Sequence, residues 1–198
     1  GTFDPIHFGH LLAAEEVRIQ LGLDEVVLIP TGQPWMKVER ALSSSKKRLD
    51  MVRLAVSCNP FFQTSSIEVD RPGPTYTVDT LRSFREGMRA EDDIYFIIGM
   101  DSLKSFHLWK EPDKVLGLCN LAVVSRPGCD TYDLSALDTI VDGGSQGVLS
   151  LCTPLIDLSG TRIRARAAKG QSIRYQVPSL VERYIRQHQL YLEWEEVR

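Results

Sequence analysis

The sequence predicts an α/β protein with a doubly wound, mostly parallel sheet and helices on both faces, and three observations carry that prediction. Short apolar runs of strand length alternate with segments of helical period, the pattern that calls for parallel β-α-β crossovers. The residues least expected in a core (a pair of histidines, a Gly-x-Asp and a Ser-Gly-Thr) stand where such runs give way to helices, which is where parallel sheets bind ligands. The third observation is size: 198 residues with 43% apolar and 25% charged side chains suit one well-buried core. No internal repeat or low-complexity linker interrupts the chain, so residues 1–198 read as a single domain whose C-terminal part, about 160–191, is helical.

In chain order, LLAAEEVRIQLG (11–22) has apolar residues at helical spacing and a glycine stop, and EVVLIP (25–30) is a buried-strand run ending on proline. A polar loop follows, TGQPWMKVERALSSS. Its serines, Ser43 to Ser45, can cap the helix KKRLDMVRLAVSC (46–58). SIEVD (66–70) predicts a strand, RPGPTYT an irregular turn, and VDTLRSFREGMR (78–89) a helix capped near Thr77. IYFIIGMD (94–101) is the most strand-like run, and NLAVVSRPG (120–128) predicts another strand that ends in a turn. Residues 132–147 are weakly patterned. Beyond them GVLSLC (147–152) predicts a strand, GTRIRARAAKG (160–170) a short helix, and PSLVERYIRQHQLY (178–191) a closing helix with proline at its start.

Charge removes several classes of function. With 23 basic and 26 acidic residues the net charge is −3, which offers no global attraction to nucleic acid or to an anionic membrane, so any phosphate site must be local. Four scattered cysteines, Cys58, Cys119, Cys129 and Cys152, form no C-x-x-C pair and suggest neither a zinc site nor a disulfide framework; buried or inert thiols are expected. No apolar stretch approaches the roughly 20 residues of a spanning helix, and no signal peptide is visible. A cytoplasmic enzyme with no membrane and no nucleic-acid partner is the expectation.

The chemistry concentrates in GTFDPIHFGH. With a helix starting near Ile6, His7 and His10 share one side of its first turn, where unpaired N–H groups and the dipole already favour an anion. Gly9 lets a phosphate approach the backbone closely. Two histidines at a helix start can also be polar caps, but Gly1, Pro5 and Gly9 beside them favour phosphate. No third histidine, cysteine or paired carboxylate stands at ligand spacing, so no protein metal site is expected.

A second phosphate-type stretch is LSGTRIRAR. Ser159 and Thr161 sit at a strand-to-helix passage, Gly160 leaves the amides open, and Arg164 follows one turn later. Asp101, just after IYFIIG, is placed either to accept a ribose hydroxyl or to cap a helix.

GTFDPIHFGH resembles, over all ten residues, the G-T-F-D-P-x-H-x-G-H signature of the H-x-G-H nucleotidyltransferase superfamily. GLDEVVLIPTGQPWMK, RPGPTYTVDTL, IIGMDSL, VVSRPG and LSGTRIRAR then follow in the order seen in bacterial nicotinate-nucleotide adenylyltransferases, so the resemblance runs from Gly1 to about Tyr191. It implies a Rossmann-like sheet and, ahead of Gly1, a first apolar strand. The implied reaction joins nicotinate mononucleotide to the α-phosphate of ATP, with magnesium accompanying the ATP and pyrophosphate released.

The resemblance also implies residue roles. His10 makes the main transition-state contact with His7 beside it, and Gly1, Thr2, Phe3 and Gly9 frame the nucleotide. Ser159, Thr161 and Arg164 hold the triphosphate, Gly99 and Asp101 the adenosine, and Thr77 and Trp109 the nicotinate ring. Lys37 holds the mononucleotide or neutralises phosphate charge, and Asp4 approaches the substrate phosphate or metal unless it is a turn former. Trp109 could also be a core side chain. The chain departs from the pattern where Met36 replaces a histidine, Lys110 a tyrosine and Gly160 a serine or alanine.

Pantetheine-phosphate adenylyltransferases and cytidylyltransferases share the opening motif, and a non-catalytic nucleotide sensor could keep the fold. Class I aminoacyl-tRNA synthetases have a related histidine motif, but no K-M-S-K-S stretch occurs here. Composition leaves the oligomeric state, including a homo-oligomer, open.

Overall fold

A computed structural model describes residues 1–35, 42–125, 134–154 and 156–194. Every strand pairing in it is parallel, as the alternation of strand and helix demands. The chain divides into two compact units, one comprising Gly1–Arg18, Gly22–Thr75 and Ile156–Arg198, the other Ile19–Leu21 and Tyr76–Leu155.

In the first unit, α1 (Phe8–Leu21) begins three residues earlier than its apolar spacing predicts, and Gly22, at φ 63°, stops it. Strand β1 (Val26–Leu28) pairs with β3 (Phe62–Thr64), and the two-residue strands β2 (Gln33–Pro34) and β4 (Pro74–Thr75) pair with each other. Helix α2 (Ser45–Val56) is capped by Ser44, whose side chain accepts from the Lys47 amide as the serine cluster predicts. Helices α6 (Gly160–Ala168) and α7 (Ser179–Gln187) close the unit. Ile6, Val17, Met51, Val52, Ile163 and Val181 are fully enclosed in its core.

The strand expected over 66–70 is not formed. Ser66 Oγ donates to the Asp70 carboxylate at 2.6 Å and the Asp70 amide donates back to the Ser66 carbonyl at 2.9 Å, which closes a turn in place of a ladder. The strand lies upstream instead, in β3, and RPGPTYT supplies β4 rather than an irregular turn alone.

In the second unit, α3 (Thr77–Glu86) starts at Thr77 itself; its cap residue is Tyr76, in extended backbone, and no side chain caps it, contrary to the capping role read for Thr77. Strands β5 (Tyr95–Gly99), β6 (Asn120–Ser125) and β7 (Val148–Cys152) form a three-stranded sheet in that order. The α4 helix (Met100–Lys104) takes up the end of the run read as strand, so Gly99 is the cap and Asp101 lies in the first turn. Helix α5 (Pro112–Leu118), which periodicity did not reveal, starts on Pro112 and packs on α3. The last part of the run read as strand and turn, 126–128, lies outside the described residues, and so does Cys129. Of the other cysteines Cys119 is buried, its thiol pushed up to about 12 by desolvation, while Cys58 and Cys152 are exposed rather than buried.

One side chain ties the loops of the first unit together. Arg48, in α2 and only 1% exposed, donates from Nε to the Ser43 carbonyl at 3.0 Å, from Nη1 to Thr2 at 2.8 Å and from Nη2 to Gly32 at 2.9 Å. Desolvation lowers its pKa, and the charges of Asp4 and Glu68 work against that shift. At Gly32 a Cβ would lie 2.0 Å from the Glu68 carbonyl oxygen, so only glycine lets these segments close to this distance. Arg48→Met keeps most of the volume and strands three carbonyls at about 1–3 kcal/mol each before relaxation. The expected loss of unfolding free energy in urea is about 3 kcal/mol or more; a loss under about 1 kcal/mol would mean that water replaces the guanidinium there.

Candidate active site

The opening motif folds around a polar cavity of about 190 Å³ within the first unit, lined by Thr2, Phe3, Asp4, His7, His10, Thr161 and Arg164 among others. Two turns of chain supply this wall because the Thr2 carbonyl is anchored by Arg48 and the Gly1 carbonyl accepts from the Thr31 amide at 2.8 Å. Phe3 sits at φ 49°, a left-handed conformation that a bulky residue rarely adopts and that costs about 1–3 kcal/mol. Its ring meets His10 edge-on at 5.1 Å.

His7 caps α1, and its carbonyl accepts from the His10 and Leu11 amides. The His7 amide in turn donates to His10 Nδ1 at 3.3 Å, so a histidine takes the part that glutamate plays in a capping box. With Nδ1 accepting, the neutral His10 ring carries its hydrogen on Nε2. The two imidazoles stack at 3.7 Å. The capping and phosphate readings of this pair are therefore compatible, since one ring nitrogen of His10 serves the helix and leaves the other to be a donor.

His7 is 6% exposed, and its Nδ1 is buried without a partner among the described residues. Burial drives its pKa down to about 4, opposed by a backbone hydrogen bond, so the ring is neutral near pH 7. A Cβ at Gly9 would stand 3.1 Å from the His7 ring. The glycine therefore makes room for a histidine, in addition to the ligand approach read from sequence.

Arg164 is the cavity's permanent charge. It is 8% exposed; Nη1 donates to the Asp4 carbonyl at 2.5 Å and Nη2 to Thr161 Oγ1 at 3.3 Å, while Nε is buried without a partner. No carboxylate pairs with it among the described residues. A desolvated cation facing a polar cavity has the charge and the free donor that suit an anion. Ser159 caps α6 by accepting from the Arg162 amide at 3.2 Å, which orients the helix start beside the cavity residue Thr161. The passage into α6 is coil rather than strand, because β7 ends at Cys152.

Asp4 lines the cavity, but both its oxygens are engaged: Oδ1 accepts from the Tyr191 hydroxyl at 2.7 Å and Oδ2 from the Ser43 amide at 3.1 Å. Sequence reasoning passed over Tyr191 and Arg48. A tyrosine and an arginine on the inward face of amphipathic helical segments were the available signal, and neither spacing names a partner. Lys37 lies outside the described residues.

The second unit holds the other predicted residues. Gly99 has open space where a Cβ would stand, and Asp101 is exposed. Thr77 opens α3, ahead of the first intrahelical bonds, in which the Asp79 and Thr80 amides donate to the Tyr76 carbonyl. Trp109 is half-buried, 5.9 Å edge-on from Phe96 and 5.2 Å from Phe106, with Nε1 buried and unpartnered among the described residues. Lys110 joins the two segments: its Nζ lies 3.1 Å from Asp79 and 4.5 Å from the centre of the Tyr76 ring.

The cytidylyltransferase-like family model matches residues 1–166. A probable nicotinate-nucleotide adenylyltransferase of Dehalococcoides mccartyi is 42% identical over 191 residues, which is 96% of this chain and 94% of that one. One of the same description from Streptomyces coelicolor is 45% identical over 193 residues, 96% of this chain and 97% of its own. Among solved structures, Plasmodium falciparum nicotinic acid mononucleotide adenylyltransferase complexed with NaAD superposes with a TM-score of 0.75 at 17% identity, covering 96% of this chain and 94% of that one. At that identity the likeness concerns the fold, and it is the Rossmann-like arrangement expected from sequence.

The burial of His7 has a testable pH signature. Its folded pKa near 4 lies below the ordinary 6.5, so the unfolded chain binds the extra proton and stability falls as pH drops from about 6.5 toward 4. Between pH 6.5 and 4.5 the protein should lose about 2 kcal/mol of unfolding free energy that His7→Gln does not lose. Urea titrations of both proteins at the two pH values measure the difference, and identical losses would show His7 to be solvated.

Proposed function

This chain belongs to the cytidylyltransferase-like family, and we propose that it transfers the adenylyl group of ATP to nicotinate mononucleotide, giving nicotinate adenine dinucleotide and pyrophosphate. The observation that carries the phosphate chemistry is the buried Arg164 guanidinium, which lines the cavity with both motif histidines and has no carboxylate paired to it among the described residues. The relatives' shared description, over nearly the full chain, supports the choice of acceptor.

A phosphate monoester oxygen is already anionic near neutral pH. It attacks the α-phosphorus in line, the bond to the bridging oxygen of pyrophosphate breaks, and no general base is needed. The protein's work is positioning and charge. The His10 Nε2 hydrogen points a donor at the phosphates, neutral His7 offers its remaining ring nitrogen, and Arg164 with Thr161 holds the departing pyrophosphate at the start of α6. Thr77 and Trp109 take the nicotinate ring, the tryptophan as an aromatic face and the first amides of α3 as donors to its carboxylate. Gly99 and Asp101 hold the adenosine, and Lys37 the mononucleotide phosphate.

Magnesium would enter on the phosphates of ATP, where it neutralises charge. Among the described residues no group of three or more His, Cys, Asp and Glu could hold a metal ion, and the oxygens of Asp4 already accept from Tyr191 and Ser43. No described helix is long and apolar enough to cross a membrane. The proposed reaction is a step of NAD biosynthesis, and the cytoplasm is the proposed location.

The decisive assay is pyrophosphate release, with nicotinate and nicotinamide mononucleotides compared at matched ATP and magnesium and CTP in a parallel arm. Amide donors suit a carboxylate and leave an N-H₂ group facing another donor, so kcat/KM should favour the acid by about a hundredfold or more. Comparable rates would mean that the ring pocket also offers an acceptor, and turnover only with CTP would replace the adenylyl reading. His10→Ala should lower kcat by on the order of a hundredfold with a much smaller change in ATP binding, because its donor acts mainly on charge that develops in the transition state. A variant with near wild-type kcat would remove His10 from that role.

A further inference from the structure

We propose that Tyr191 and Trp194, beyond the last helix of the first unit, are positioning residues for Arg164 and set the affinity of the cavity for triphosphate. The inference rests on the adenylyl-transfer reading above. Both residues lie outside the segment matched by the family model, which ends at residue 166.

Among the described residues Arg164 has two hydrogen-bond partners and one ring contact, and two of these three depend on this C-terminal segment. Its Nη1 donates to the Asp4 carbonyl, and its guanidinium carbon lies 5.0 Å from the centre of the Trp194 ring. The third contact, Thr161 Oγ1, is on its own helix. Asp4 is held from the far side by the Tyr191 hydroxyl at 2.7 Å, with the Ser43 amide on its other oxygen. A Cβ at Gly160 would come within 3.0 Å of the same Asp4 carbonyl, so the acceptor of Arg164 sits in a space with no slack.

Burial first, and then the charge of Asp4, push the Tyr191 hydroxyl above the ordinary tyrosine range. It therefore remains a donor throughout the range in which an enzyme works. The segment reaches these partners through an unusual backbone: Gln189 and Tyr191 stand at φ 49° and 70°, in the left-handed region that side chains seldom occupy. Strain retained at two residues in three, with the hydroxyl of one on a buried carboxylate and a ring three residues further on over a buried cation, fits a segment whose backbone is set by where it delivers those groups.

The chain of contacts runs from Tyr191 to Asp4 to Arg164, with Trp194 acting on Arg164 directly. Neither aromatic residue lines the cavity, so neither is assigned contact with substrate. Losing either one leaves the charge in place but frees it to wander, and an anion must then fix it at the moment of binding.

The test is calorimetric titration of a non-hydrolysable ATP analogue into the wild type, Tyr191→Phe, Trp194→Leu, Arg164→Ala, and each aromatic variant combined with Arg164→Ala. Tyr191→Phe should weaken binding about tenfold and Trp194→Leu about threefold, while KM for nicotinate mononucleotide stays within about twofold. In the Arg164→Ala background both losses should shrink below about twofold, because a positioning residue has nothing left to position. Undiminished losses in that background, or none in the wild-type background, overturn the proposal. Should Tyr191→Phe melt too low to titrate, Trp194→Leu decides alone by the same criterion, since its side chain is partly exposed and its removal strands no hydrogen bond to Asp4. A wild type that binds no ATP analogue overturns the adenylyl-transfer reading and this inference with it. A wild type that binds the analogue while the aromatic variants bind equally well overturns only the inference.

Discussion

Two buried guanidinium groups, neither in an ion pair with a carboxylate among the described residues, are the constraint around which the first unit is built. A desolvated positive charge must be met by something, and the protein meets the two in opposite ways. Arg48 spends its donors on three backbone carbonyls, Ser43, Thr2 and Gly32, which belong to three different loops. It thereby fixes the chain that forms the cavity wall. Arg164 has one carbonyl, one hydroxyl and the Trp194 ring, its Nε has no partner among the described residues, and it lines the polar cavity. The first arrangement is closed and structural. The second keeps a donor in reserve beside a polar space.

The histidine pair shows how one local feature serves both structure and chemistry. A helix start has orphan amides, and His10 reaches back to accept from one of them, which fixes its tautomer as it fixes the helix. Gly9 makes the stack possible by leaving space for the His7 ring. Changing either residue for a better helix former would gain propensity and lose the orientation of the rings. A capping motif can thus be read correctly from sequence and still leave its chemical use undecided.

What was legible in the sequence was local. The motif histidines, the Ser44 cap, the Ser159 cap and the start of α6 all depend on neighbours within four residues, and spacing alone reveals them. What escaped depends on distant partners. Tyr191 meets Asp4 across 187 positions and Arg48 meets Thr2 across 46, so nothing in YLEWEE or KKRLD announces either contact. Two-residue strands such as β2 and β4 are too short to carry a period, and SIEVD reads as a strand until Ser66 and Asp70 are seen to bond each other. The same limit applies to Trp109. Its aromatic contacts with Phe96 and Phe106 place it against the hydrophobic core, and the role proposed for it as a ring platform comes from motif order rather than from periodicity.

The charge economy of the cavity follows from these placements. If His7 were protonated, it would stand as a second positive charge in the same small polar space as Arg164, and the empty site would be strained by repulsion as well as by desolvation. Burial prevents this by holding His7 near a pKa of 4, so that it enters the reaction as a neutral polar ring. The electrostatic attraction for the nucleotide then rests on Arg164 and on the amides of α6, groups whose charge does not vary with pH in the working range. A triphosphate brings more negative charge than one guanidinium can balance, and the surplus is what a metal ion carried on the phosphates would offset. A cavity with one arginine charge, a neutral His7 and a carboxylate held by Tyr191 and Ser43 suits, on the proposed reading, an anion that arrives with its own counter-ion.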